Sequence, residues 1–114
     1  MYKSVNMSTV TVQTLDAGRA RDLLTLYAKK AAFVLEEYSD VGAIFKNLNE
    51  VLTEDSGENV ELSKTDVTFL VNMINVCSQR AAIEVQNYKP IAALHEAFSE
   101  ALKTTESSKK VEEL

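Results

Sequence analysis

The run from Val67 to Gln79, Val-Thr-Phe-Leu-Val-Asn-Met-Ile-Asn-Val-Cys-Ser-Gln, contains no charged residue and is bounded by Asp66 and Arg80. Helical spacing places Val67, Leu70, Ile74, Cys77, Ala81 and Val85 on one face. Phe69, Met73, Val76 and Ile83 fall on a second face. The polar remainder, Thr68, Asn72, Asn75, Gln79 and Gln86, is an uncharged stripe. A helix apolar over most of its circumference must be covered on more than one side. Its place is therefore central, in a bundle covered by its own chain or by chain and partner together.

The rest of the chain supplies helices to surround it. Three glycines and one proline punctuate 114 residues, which favours long helices over a many-turned β fold. Ala20, Leu24, Tyr27, Ala31, Val34 and Tyr38 form a stripe for a first helix from Thr14 or Asp16 to about Tyr38. Leu26 and Phe33 lie outside that stripe. Val41, Ile44, Leu48, Val51 and Leu52 mark a second helix over 40–54, turned back on the first or continuing it through a kink. Residues 55–62 read as a loop. Ser63 is the expected N-cap of the third helix, with Asp66 three residues on and Leu62 and Val67 as a hydrophobic staple. This helix is expected to reach Tyr88, where Lys89-Pro90 interrupts it. A fourth, over about 90–103, carries Ile91, Leu94, Phe98, Ala101 and Leu102.

Residues 1–13 read as a loosely ordered arm, because Val10-Thr11-Val12 alternates but no partner strand is evident. Residues 104–114 read as a polar tail. No internal repeat is evident. The expected fold is all-α: one antiparallel bundle of about four helices over 14–103, with the third central.

Charge and motifs narrow the function classes. The net charge of −5 gives no general attraction to nucleic acid or anionic lipid. Asp40, Glu50, Glu54, Asp55, Glu58, Glu61 and Asp66 make 40–66 an acidic region that a basic protein could meet. One cysteine suits a reducing cytoplasm, and no signal peptide or membrane span is expected. Cys77 and the single histidine, His95, read as structural. His95 lacks the Glu-x-x-His spacing of a bundle metal site, since Ala92 precedes it by three. Read as a calcium loop from Asp55 to Asp66, the acidic segment has Gly57 at the third position and Val60 where glycine must turn, so no metal or cofactor is expected.

No nucleophile elbow, phosphate loop or Cys-His spacing occurs, and the densest ionisable cluster, Glu36-Glu37-Tyr38, faces no expected pocket. These observations favour a non-enzymatic, self-associating assembly or adaptor protein over a small enzyme or ligand binder with a site between helices. The expected homodimer contact is Phe69, Met73, Val76 and Ile83 of the third helix with Leu26 and Phe33 of the first. The alternative cover for that face is the second helix of the same chain.

Overall fold

Alternating apolar residues at Val10 and Val12, and again at Val60 and Leu62, make two strands that each have one apolar face. In the computed structural model, which describes residues 9–113 and of 105–113 only the backbone, these strands pair with each other. Strand β1 (Thr9–Gln13) lies antiparallel to β2 (Asn59–Ser63), with Val10 opposite Leu62 and Val12 opposite Val60. All four side chains point into the core, while Thr9, Thr11, Gln13, Asn59, Glu61 and Ser63 face outward.

The protein is thus mostly helical with a two-stranded sheet, rather than purely all-α. Residues 9–13 are a strand, not part of an arm, and its partner lies in what the sequence reads as a loop. The two segments are 50 residues apart, so local pattern could not pair them. Residues 1–8, Leu114 and the side chains of 105–113 of the expected tail lie outside the described residues. The backbone of the tail continues the last helix to Glu113.

Each strand runs directly into a helix: α1 (Thr14–Lys29) after β1, and α3 (Lys64–Arg80) after β2. Each helix is followed by a short 3-10 turn, Leu35–Glu37 or Val85–Asn87, and a second helix, α2 (Tyr38–Val51) or α4 (Tyr88–Glu113). Every element of the second half begins 50 residues after its counterpart in the first. The residues at the centre of the strand pair, Thr11 and Glu61, are also counterparts. An approximate two-fold axis therefore passes through that pair and exchanges the two strand–helix–helix units. The fold contradicts the expectation of no internal repeat. The core repeats as well: Ala17, Ala20, Leu23, Leu24 and Tyr27 are buried on α1, and Val67, Leu70, Met73, Ile74 and Cys77 at the same places on α3. The third helix is central, but α1 is its equal.

Both central helices end earlier than their apolar stripes suggest. In α1, the amide of Ala32 donates to the Tyr27 carbonyl (3.0 Å) and that of Ala31 to the Ala28 carbonyl (3.1 Å). This is a Schellman ending, and it puts Ala31 at φ 55°, in the left-handed region. Glycine ordinarily marks that position, and here the sequence carries no such mark. Helix α3 ends differently, with Ala81 extended (ψ 152°) after its amide reaches the Cys77 carbonyl. Pro90 does not stop a helix. It sits in the first turn of α4, where an amide hydrogen would have no helical acceptor.

The start of α3 follows the sequence reading. Ser63 Oγ accepts a hydrogen bond from the Asp66 amide (3.0 Å), and Leu62 and Val67 are both buried. The Asp66 carboxylate does not return to the cap but accepts from Asn47 Nδ2 of α2 (3.0 Å), tying the two halves. Ser63→Ala is expected to cost about 1 kcal/mol through the lost acceptor, read as a lower urea midpoint at unchanged slope. An unchanged midpoint would contradict the cap.

Candidate functional site

The two halves meet where α1 and α3 end. Tyr27, fully buried, donates its hydroxyl to the Ile74 carbonyl (3.3 Å) and shares a hydrogen bond with Ser78 Oγ (2.7 Å). Its ring meets Phe33 edge-on at 6.1 Å. Burial raises its pKa. Cys77, its counterpart, is also fully buried, and its thiol points at the Ala32 carbonyl (3.7 Å). Desolvation pushes that thiol up to about 11, so the nucleophilic thiolate is suppressed at neutral pH. Arg80 donates to the same carbonyl (3.0 Å) and grips Glu37 with two hydrogen bonds, of 2.8 and 3.2 Å. The Arg80 bonds, with one from the Val34 amide, hold the Glu37 carboxyl below its usual value. Glu37 therefore locks one half onto the other rather than facing a substrate.

Beside this junction, each helix pair encloses a cleft. Between α1 and α2 it has a volume of about 490 Å³, lined by Leu24, Ala28, Phe33, Tyr38, Val41 and Phe45, with Thr25, Ala31 and Gly42. Between α3 and α4 it has about 360 Å³, lined by Ile74, Ser78, Ile83, Tyr88, Ile91 and His95, with Asn75 and Ala92. Adding 50 to the lining positions of the first cleft gives those of the second, apart from Ala81. The frame is the same and the chemistry is not. Thr25, Ala28 and Phe45 in one are Asn75, Ser78 and His95 in the other.

Both clefts are rimmed by exposed apolar groups in equivalent places. Tyr38 and Tyr88 are 57 % and 56 % exposed, and Leu35 and Val85 in the adjoining turns 75 % and 74 %. The stripe logic of the sequence assigned Tyr38 and Val85 to buried helix faces. They are exposed because α1 and α3 end before reaching them.

The residues named for a dimer contact divide among several places. Met73 is buried in its own chain's core, at 7 % exposure. Phe69, Leu26, Phe33 and Ile83 are half-buried against that core, and Val76 is half-buried. Phe33 and Ile83 are counterparts and line the two clefts, and Leu26 and Val76 are counterparts too. Leu26 borders a smaller depression of about 230 Å³ with Arg19, Asp22, Ile91 and Leu94. The amides Asn72, Asn75, Gln79 and Gln86 are exposed, with Gln79 donating to Asn75 (3.3 Å).

The acidic segment builds no ion-binding loop. Asn59 lies in β2 and Asp66 in the first turn of α3. Among the described residues, no three His, Cys, Asp or Glu side chains are grouped to hold a metal ion. No described helix is long and apolar enough to cross a membrane. Comparison with protein-family models, with curated proteins and with solved structures gives no match for this chain.

Two solution measurements check this junction. Cys77 is expected to resist a thiol reagent at pH 8 in the folded protein and to react fully in denaturant; rapid labelling of folded protein would contradict its burial. Glu37 has a lowered folded pKa, so its stabilisation is present above the ordinary carboxyl value of 4.5 and lost as pH falls through the lowered one. Glu37→Gln is therefore expected to melt lower than wild type at pH 7, and the two curves to converge as pH falls through the lowered Glu37 pKa. A gap that persists in acid would show that the carboxylate charge is not its cause.

Proposed function

We propose that this chain is a non-enzymatic binding protein that works through its two inter-helix clefts, each taking an apolar group from a ligand or another protein. The observation that carries the reading is the duplicated cleft: one backbone frame, repeated across a two-fold axis, with different side chains in each copy. Clefts of several hundred Å³ with apolar walls and a few polar groups are the usual form of a binding site. An exposed tyrosine on each rim adds a large, rigid contact with a polar tip. The polar groups of the junction beside the clefts support binding rather than catalysis. The thiol is buried and protonated, Glu37 is held by Arg80, and Ser78 is engaged by Tyr27.

Self-association as a homodimer belongs to the same reading. Leu35, Tyr38, Val85 and Tyr88 offer a second copy more uncovered surface than Met73 does. Light scattering at micromolar concentration reads this directly. A doubled mass supports it, and 12.6 kDa contradicts it. The acidic region 40–66, with Glu54, Asp55 and Glu58 between α2 and β2, is where a basic protein partner would meet the chain.

The ribbon favours a second reading. A two-stranded antiparallel ribbon fits the major groove of B-form DNA, and some DNA readers use strands in this way. Thr9, Thr11, Gln13, Asn59 and Ser63 present hydrogen-bonding groups outward. Electrostatics oppose it: Glu61 stands at the ribbon's centre, neither strand carries a lysine or arginine, and the net charge is −5. A two-stranded ribbon shared with such readers is analogy, and the site chemistry decides between the two.

Gly42 and Ala92 occupy equivalent places in the two clefts, and a Cβ at Gly42 would meet nothing within 4 Å. Leucine at either position should fill its cleft, and at Gly42 also remove a weak helix residue, worth about 0.5–1 kcal/mol. With small apolar probes, NMR shifts should centre on the clefts; Gly42→Leu should abolish those at α1/α2 and Ala92→Leu those at α3/α4. Shifts that ignore both variants would overturn the reading, as would salt-sensitive binding to duplex DNA centred on Thr11 and Gln13.

A further inference from the structure

We infer that the α1/α2 cleft is a binding site for a small amphiphile with an apolar body and one anionic head, a medium-chain carboxylate being the simplest example. The inference rests on the cleft reading above and names the ligand class for one of the two copies.

The size of the cleft suits a short occupant. Its two walls are α1 and α2, and the turn carrying Ala31 and Phe33 stands at one end. At the other, one helical turn beyond Thr25 and Phe45, Arg21 of α1 donates to Asn49 Oδ1 of α2 (3.1 Å). This bridge joins the same two helices one turn past the lining residues, and a volume of about 490 Å³ suits a ligand of a few apolar groups.

The chemistry of the lining sets the ligand's body. Leu24, Ala28, Phe33, Val41 and Phe45 are apolar, and Gly42 leaves open space in the α2 wall. Thr25 turns its hydroxyl back to the Arg21 carbonyl (3.2 Å), so it does not compete for the ligand. The sister cleft serves as an internal control. At equivalent places it carries Ser78, Asn75 and His95, has Ala92 in place of Gly42, and is smaller by about a quarter. The more uniformly apolar lining is therefore a property of one copy and not of the frame.

The charge at the bridged end sets the head. The side-chain partner of Arg21 is a neutral amide, not a carboxylate. The nearest acidic residue in sequence, Asp22, lines the separate depression beside Arg19. A guanidinium held by one neutral acceptor keeps donors for an incoming carboxylate, and a carboxylate matches its fork. In the sister cleft the counterpart of Arg21 is Val71, which offers no such group.

Calorimetry with decanoate below its micelle concentration, with decanol as neutral comparator, tests the assignment on the full chain. One decanoate per chain is expected. Gly42→Leu should weaken it about tenfold or more while the protein melts no lower than wild type, and Ala92→Leu should leave it unchanged. Arg21→Gln retains a donor for Asn49 but removes the charge; it should weaken decanoate about tenfold and leave decanol unaffected. Decanoate binding that ignores Gly42→Leu would overturn the site, and equal affinity of wild type for decanol would overturn the anionic head. If decanoate fails while neutral apolar probes still respond to Gly42→Leu, the ligand class is wrong and the cleft reading stands. If neither responds, both are wrong.

Discussion

The pairing of β1 with β2 is the constraint on which the rest of this structure depends. A two-stranded ribbon is marginal by itself and needs an apolar face covered by other elements. Here that face is Val10, Val12, Val60 and Leu62, and the four helices cover it. Because α1 and α3 begin at the residue after each strand, the register of the ribbon sets where both helices start and which faces they bury. A slip of one residue would turn the four apolar side chains outward. The linker reinforces the register: the Thr14 amide donates to the Glu58 carbonyl (2.8 Å), and the Thr14 hydroxyl to the Gly57 carbonyl.

At the other end of the central helices, Tyr27, Cys77, Ala32, Arg80 and Glu37 make the second tie. The approximate symmetry breaks there. Tyr27 spans to Ser78 and the Ile74 carbonyl, while Cys77, its counterpart, reaches only the Ala32 carbonyl. Arg80 has Lys30 as counterpart, but the counterpart of Glu37 is Asn87, so this ion pair is made once. One chain holding both halves is free to differentiate them, which identical subunits cannot do. The same freedom explains an apolar cleft beside a more polar one.

Much of this was legible in the sequence, element by element. The uncharged run from Val67 to Gln79 is a central helix, and Ser63, Leu62 and Val67 mark its start as their chemistry implies. What was not legible was non-local. Val10-Thr11-Val12 reads as a lone strand until Val60 and Leu62 are placed opposite it. The early end of α1 rests on a left-handed alanine, stabilised by the Schellman bonds and by Ala32 facing Cys77 and Arg80. Because α1 and α3 end early, Tyr38 and Val85 are exposed where their stripes imply burial, and the cleft that Tyr38 lines has no local signal in the sequence. A signal for the repeat does exist. Val10, Asp16, Ala31-Ala32, Tyr38, Ala43, Glu50 and Leu52 recur as Val60, Asp66, Ala81-Ala82, Tyr88, Ala93, Glu100 and Leu102, each 50 residues on. Single matches are weak, and only their common offset has meaning.

Native-state hydrogen exchange at the hydrogen-bonded amides of β1 tests the central claim most directly. If the ribbon organises the fold, these amides open only with the whole molecule, at the same free energy as the slowest amides of α1 and α3. Exchange of β1 at a much lower free energy, while the helices stay protected, would show that the strand is an appendage to a self-sufficient helical bundle and would contradict this account.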